Sequence, residues 1–111
     1  MSESKVEQVA CRAILKKFGV KSIKLTPMKS TGFPDRIFWL PGGKPLLIEF
    51  KSSVGFLSLK QEYIIGQLKA LGYRVVVCRT VKEALMAVED LIFRLKDVRV
   101  ANQDKFSKKR R

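Results

Sequence analysis

Apolar positions in the first part of the chain recur at helical spacing. Val6, Ala10, Ala13, Ile14 and Phe18 fall on one face of residues 4–18, and Gly19 is placed to end that helix. Ser4, with Glu7 three residues on, has the spacing of a capping box at its start. A short strand is predicted around Ser22–Thr26, followed by a loop containing Pro27, Gly32 and Pro34. Arg36 to Leu40 (RIFWL) and Pro45 to Phe50 (PLLIEF) then read as two strands. The turn between them, Pro41-Gly42-Gly43-Lys44, is so short that they must form an antiparallel hairpin. Ser58 to Leu71 is predicted as a second helix, with Ile64, Ile65, Leu68 and Leu71 facing inward and Gly72 as its stop. Tyr73 to Cys78 (YRVVVC) is nearly all apolar, the mark of a strand covered on both faces. Thr80 and Glu83 open a third helix at capping-box spacing, running to about Leu95. The order αβββαβα predicts an α/β domain, one mixed sheet flanked by helices.

With 111 residues the chain fits a single domain. We place that domain at residues 1–96 and expect 97–111, which end in KFSKKRR, to form a flexible basic tail. Charge changes the picture most. Lys and Arg number 23 against 10 Asp and Glu, for a net charge of +13. Seven basic and two acidic residues fall within 96–111, so the rest of the chain still carries +8. A fold needs no such surplus; a polyanionic partner, nucleic acid first, explains it. Histidine is absent. That removes Ser-His-Asp hydrolysis, Cys-His proteolysis, histidine-ligated zinc and nucleases with a histidine base. Two cysteines, Cys11 and Cys78, are too few for a disulfide framework, and no apolar stretch is long enough for a signal segment or membrane span. The expectation is a cytoplasmic protein, of a bacterium or a virus-infected host cell, with both thiols packed as small apolar groups, no membrane association and no small-molecule cofactor.

Three charged residues fall where a core hairpin should be apolar. Asp35 stands at the mouth of the second strand, while Glu49 and Lys51 end the third and project to one face because strand side chains alternate. A buried carboxylate beside an ammonium is costly unless it serves a purpose. Two carboxylates a few ångströms apart call for a cation between them, and hard oxygen ligands suit Mg²⁺ or Mn²⁺. The register decides whether they meet. A two- or four-residue hairpin loop sets Asp35 opposite Phe50, with Glu49 and Lys51 on the other face; an odd loop such as Pro41-Gly42-Gly43, or a bulge, sets Asp35 opposite Glu49. We expect the odd register or a bulge.

Gly32-Phe33-Pro34-Asp35, followed after thirteen residues by Glu49-Phe50-Lys51, resembles the PD-(D/E)xK nucleases, and more closely their VRR-NUC branch, the virus-type replication and repair nucleases. Pro-Gly-Gly within the hairpin, Ser58 and Gln61 opening the next helix, and Gly72-Tyr73 before a valine-rich strand strengthen the resemblance, which spans roughly residues 4–93. It implies a restriction-endonuclease-like fold. Asp35 and Glu49 would be metal ligands, with the Phe50 carbonyl as a further oxygen ligand and Lys51 as the motif lysine. It also implies a glutamate on the first helix, matching Glu7, and a glutamine on the second, matching Gln61. Both are also the third residue after a serine, so each reads equally as a capping-box partner; Glu7 shares its face with Ala10, Cys11, Ile14 and Phe18, which points it inward.

Lys29, Ser30 and Thr31 precede the acidic loop and are candidates for phosphate contacts, as are Arg36, Lys44 and Lys60. Phe38 and Trp39 are candidates for stacking on bases, or for core or interface packing. The reading that follows is a Mg²⁺- or Mn²⁺-dependent DNA endonuclease. The stand-alone viral members of the family are similar in size and associated with branched DNA cut by homodimers, which implies a Holliday-junction resolvase acting in repair or recombination. Phe33, Phe38, Trp39, Phe56 and Leu57 are the residues expected to join two copies. The rivals are a non-catalytic nucleic-acid-binding module and the catalytic subunit of a larger repair complex.

Overall fold

The computed structural model describes residues 1–25 and 31–94. Lys29, Ser30 and the predicted tail lie outside them. In chain order the elements are α1 (Glu3–Phe18), β1 (Ser22–Lys24), β2 (Arg36–Leu40), β3 (Lys44–Phe50), α2 (Leu59–Ala70) and β4 (Arg74–Cys78), followed by α3 over 81–94. The four strands form one mixed sheet in the order β1-β2-β3-β4; β1, β2 and β3 are antiparallel neighbours, and β4 runs parallel to β3. A parallel pair needs a crossover connection, and α2 supplies it.

The hairpin closes through three residues, Pro41-Gly42-Gly43, with Leu40 paired to Lys44 and Arg36 to Ile48. Gly42 and Gly43 both adopt positive φ, +83° and +72°, a conformation that glycine takes without steric cost. This is the odd register, and it sorts the sheet into two faces. Phe38, Leu46, Ile48, Phe50 and Cys78 pack with Val6, Ala10 and Ile14 of α1 and with Ala84 and Val88 of α3. Leu47 and Val75, on the opposite face, pack with Ile65 of α2.

Several expectations are corrected. The N-cap of α1 is Ser2, whose hydroxyl accepts from the Lys5 amide at 3.2 Å, so Ser4 lies inside the helix and Glu7 is not a capping-box partner. Of the predicted strand 22–26, three residues pair as a strand, and the Leu25 amide adds a bond to the Asp35 carbonyl at 2.8 Å. Leu71 is the C-cap of α2, one residue past its last turn at Ala70, and is exposed rather than inward-facing. Phe38 is fully buried under α1 and cannot contribute to an interface or a stack, while Trp39, one residue on and on the other face, is 51% exposed. At α3 the Thr80 hydroxyl accepts from the Glu83 amide (3.1 Å) as an N-cap, but the Glu83 carboxylate accepts from the Thr80 hydroxyl (3.2 Å) and from the amide of Arg79, one residue before the cap (3.2 Å), a variant of the predicted capping box.

Candidate active site

In the hairpin register the pair after Arg36 and Ile48 is Asp35 and Glu49, so both side chains, with Lys51 two residues on, belong to the α2 face. Asp35 Oδ2 accepts the Phe50 amide at 2.7 Å. Glu49 is 1% exposed. Its Oε2 accepts from Gln61 Nε2 at 3.0 Å and lies 3.7 Å from Lys51 Nζ. Its other oxygen, Oε1, is buried without a hydrogen-bond partner. Carboxylate oxygens of Glu3, Asp35 and Glu49 lie within 4.8 Å of one another, the one such acidic group among the described residues.

Two local features bring these residues together. Gly32, at φ +80°, lies against the first turn of α2 so closely that a Cβ there would stand 2.8 Å from the Lys60 carbonyl oxygen. The loop carrying buried Pro34 and Asp35 thereby meets the helix that carries Gln61. Gln61 is a capping-box partner and also contacts Glu49. Its amide donates to the Ser58 hydroxyl (3.1 Å), and its Oε1 accepts the Ser58 amide (2.9 Å). That capping box leaves Nε2 free to hold Glu49.

Glu7 lies beside the carboxylate group, near enough that its charge helps raise the Asp35 carboxyl, but its own carboxylate is paired elsewhere. It is buried and accepts from Arg36 Nε at 2.7 Å, with Lys24 Nζ at 3.5 Å, and Arg36 Nη1 also donates to Ser22 Oγ at 3.1 Å. The cause is strand alternation. Arg36, Lys24 and Ser22 project to the face covered by α1, opposite to Glu49 and Lys51, so the middle of α1 meets basic side chains. Glu3, one turn nearer the N-terminus, reaches the end of the sheet and joins the carboxylates instead. The available signal was its i, i+4 relation to Glu7, which puts both on one helical face.

The electrostatics follow from burial. Glu49 is pushed up to about 7, first by desolvation and then by Asp35, with Lys51 pulling the other way. Asp35 is also raised, chiefly by desolvation, against the Phe50 amide bond. Burial raises both thiols, Cys78 to about 12, so neither is an activated nucleophile.

Among the residues proposed to track a nucleic-acid backbone, Lys60 is exposed on the first turn of α2 beside the site. Lys44 is exposed at the hairpin end of β3, five residues and roughly 17 Å from Glu49. Arg36 is committed to Glu7 and is not a free surface cation. Sequence reasoning missed Arg79, whose Nη1 donates to the carbonyls of Ser52 and Gly55 at 2.7 and 2.6 Å and ties down the loop after Lys51. Bonds to main-chain carbonyls leave no mark in the sequence.

The described residues contain no helix long and apolar enough to cross a membrane. No curated protein matches the chain. A solved structure described as a VRR_NUC domain aligns with a TM-score of 0.67 at 23% identity, over 78% of this chain and 94% of that one, which shows a common fold. The family model for the VRR-NUC domain matches residues 2–82. The chain therefore belongs to the VRR-NUC domain family and has its nuclease-type fold.

Proposed function

We propose that the protein is a divalent-metal-dependent DNA endonuclease, selective for branched DNA and acting as a homodimeric four-way-junction resolvase. One observation carries the chemistry: a buried Glu49 oxygen without a partner, in a group where Glu3 and Asp35 bring two further carboxylates. A buried acceptor left unsatisfied costs about 1–3 kcal/mol, and a cation removes that cost. All three donors are hard oxygens, which fit Mg²⁺ or Mn²⁺. When bound, such an ion supplies Lewis-acid polarisation of the scissile phosphate and a more acidic water.

The chain's own groups do the positioning. The Phe50 amide fixes Asp35, and Gln61 fixes Glu49. Lys51, mostly buried beside Glu49, orients the attacking water and balances charge on the phosphate. The water oxygen forms the new P–O bond and releases a proton to solvent, while the P–O bond to the leaving sugar oxygen breaks and that oxygen takes up a proton from solvent. Lys60 and the general positive surface hold the flanking backbone.

Dimerisation has its own support. α2 packs mainly on β4, leaving a 450 Å³ apolar groove over the other half of that face, lined by Phe33, Ile37, Trp39, Pro45, Leu68 and Tyr73. A twofold pair joined there would offer two sites with the symmetry of a four-way junction.

The test is incubation with four-way, flap and linear DNA, with Mn²⁺, with Mg²⁺ and with EDTA, alongside light scattering. Cutting is expected only with metal and preferentially on the junction; Asp35→Ala, Glu49→Ala and Lys51→Ala should each abolish it while DNA binding persists. Metal-independent cutting, or cutting by Asp35→Ala, overturns the site. A monomer cutting linear DNA equally well overturns the resolvase assignment.

A further inference from the structure

We infer that the loop between β3 and α2 is a rigid wedge whose exposed tip, Val54 and Phe56, inserts among unstacked bases of the nucleic acid held at the acidic site. The inference rests on the nuclease reading and deepens it. The loop leaves the site directly, since Lys51 ends the ladder with its amide bonded to the Cys78 carbonyl at 3.0 Å. It is then tied at three points. Arg79 Nη1 donates to the Ser52 and Gly55 carbonyls, the Gly55 amide donates to the Ser52 carbonyl at 3.2 Å, and Leu57 packs against the Leu47, Ile65 and Val75 cluster. Gly55 folds back so far that a Cβ there would lie 3.6 Å from Lys51 Cδ.

From this clamped base Val54 and Phe56 stand 80% and 87% exposed. They also stand in a place where a nucleic acid would cover them. Phe56 is five residues from Lys51, at most about 18 Å along the chain, which is within about five nucleotide steps of a phosphate at the site. Lys51 and Lys60 flank the loop in sequence, and the whole chain carries +13, a charge complementary to a polyanion. An apolar wedge between base steps unstacks them, and it gains most where pairing is already interrupted, as at a branch point or in a single strand.

The test uses the full chain in EDTA, so that no DNA is cut, with a four-way junction carrying 2-aminopurine at its centre and a linear duplex of the same sequence. Wild-type protein should brighten the 2-aminopurine, which fluoresces when unstacked. Phe56→Ala should bind the junction roughly ten-fold more weakly with the brightening lost, bind the duplex nearly as before, and keep the wild-type melting temperature and mass. Phe56→Trp should restore junction binding, because tryptophan stacks and alanine does not. Equal junction affinity for wild type and Phe56→Ala overturns the wedge while leaving the nuclease reading intact. A lower mass for Phe56→Ala, with equal loss on both DNAs, also overturns it, by making the occupant a second copy. A wild-type protein that binds neither DNA overturns both readings.

Discussion

Gln61 holds Glu49 with one end of its side-chain amide and caps α2 with the other: Nε2 donates to Glu49 Oε2 at 3.0 Å while Oε1 accepts the Ser58 amide at 2.9 Å. Helix start and acidic site are thus coupled through one residue, and substitutions can separate the two roles.

Gln61→Glu keeps a capping-box acceptor but replaces the donor to Glu49 with a like charge. Its melting temperature at pH 6 should stay near wild type, whereas Mn²⁺-dependent cleavage should fall by about 10- to 100-fold, the usual range for a group that orients a ligand. Gln61→Ala should lose about 1 kcal/mol of stability as well. Full activity in Gln61→Glu would show that Glu49 does not need this bond.

Glu49 gives the pH dependence. Its folded value of about 7 stands above the ordinary 4.5, so the folded protein holds the proton more tightly than the unfolded chain. The contribution is fully present below about pH 4.5 and is lost as pH rises through about 7, a change of roughly 3 kcal/mol at 1.36 kcal/mol per pH unit. Asp35 is raised too and acts in the same direction. Metal-free protein should therefore unfold more easily in urea at pH 8 than at pH 5. Glu49→Gln should flatten that profile and be the more stable protein at pH 8, and Mn²⁺ should stabilise wild type at pH 8 but not the variant. A wild-type profile that is flat or rises over this range would contradict the burial argument.

Much of this arrangement could be read from the residues, and the limits have physical causes. Counting alone did not settle the hairpin register: the turn read as Pro41 to Lys44 is even and would set Asp35 opposite Phe50, and the odd loop was expected only so that the acidic residues could share a face. Pairing of Lys44 with Leu40 leaves the three-residue loop that brings Asp35 level with Glu49. Strand alternation separates Phe38 from Trp39, yet sequence alone did not say which of the two faced the core. Glu7 was harder. Helical spacing puts Glu3 and Glu7 on one face, and only packing decides which turn passes the sheet edge and which lies over Arg36, 29 residues away. Arg36 was read as a phosphate contact and Arg79 was passed over because their partners, a distant glutamate and two carbonyls, carry no local pattern.

The Glu3 and Glu7 assignment is separable by calorimetry. Glu3→Gln should weaken Mn²⁺ binding several-fold with little change in stability, since it removes one of three clustered carboxylates near the start of α1. Glu7→Gln should act mainly on stability. It strips the charge that pairs partly buried Arg36, at a cost of about 2 kcal/mol in urea unfolding, and, because Glu7 reaches Asp35 only through its charge, lowers Mn²⁺ affinity less than Glu3→Gln does. Loss of Mn²⁺ binding in Glu7→Gln, with Glu3→Gln unaffected, would reverse the two roles.

Gly32 and Gly43 form a matched pair for testing what the close approach at the site is worth. Both adopt positive φ, +80° and +72°, so alanine at either is strained by about 1–2 kcal/mol. At Gly43 nothing lies within 4 Å of an added Cβ, and that strain is the whole effect expected of Gly43→Ala. At Gly32 the Cβ would meet the Lys60 carbonyl oxygen at 2.8 Å, a backbone atom in the first turn of α2. Either the loop carrying Asp35 or the turn carrying Gln61 must move, and both groups lean on the Glu49 end of β3. Gly32→Ala should therefore cost more than 2 kcal/mol in urea unfolding, and it should also lose Mn²⁺ affinity, which Gly43→Ala retains. Equal stability loss and equal Mn²⁺ binding in the two variants would mean that the contact between Gly32 and α2 does not set the geometry of the carboxylates.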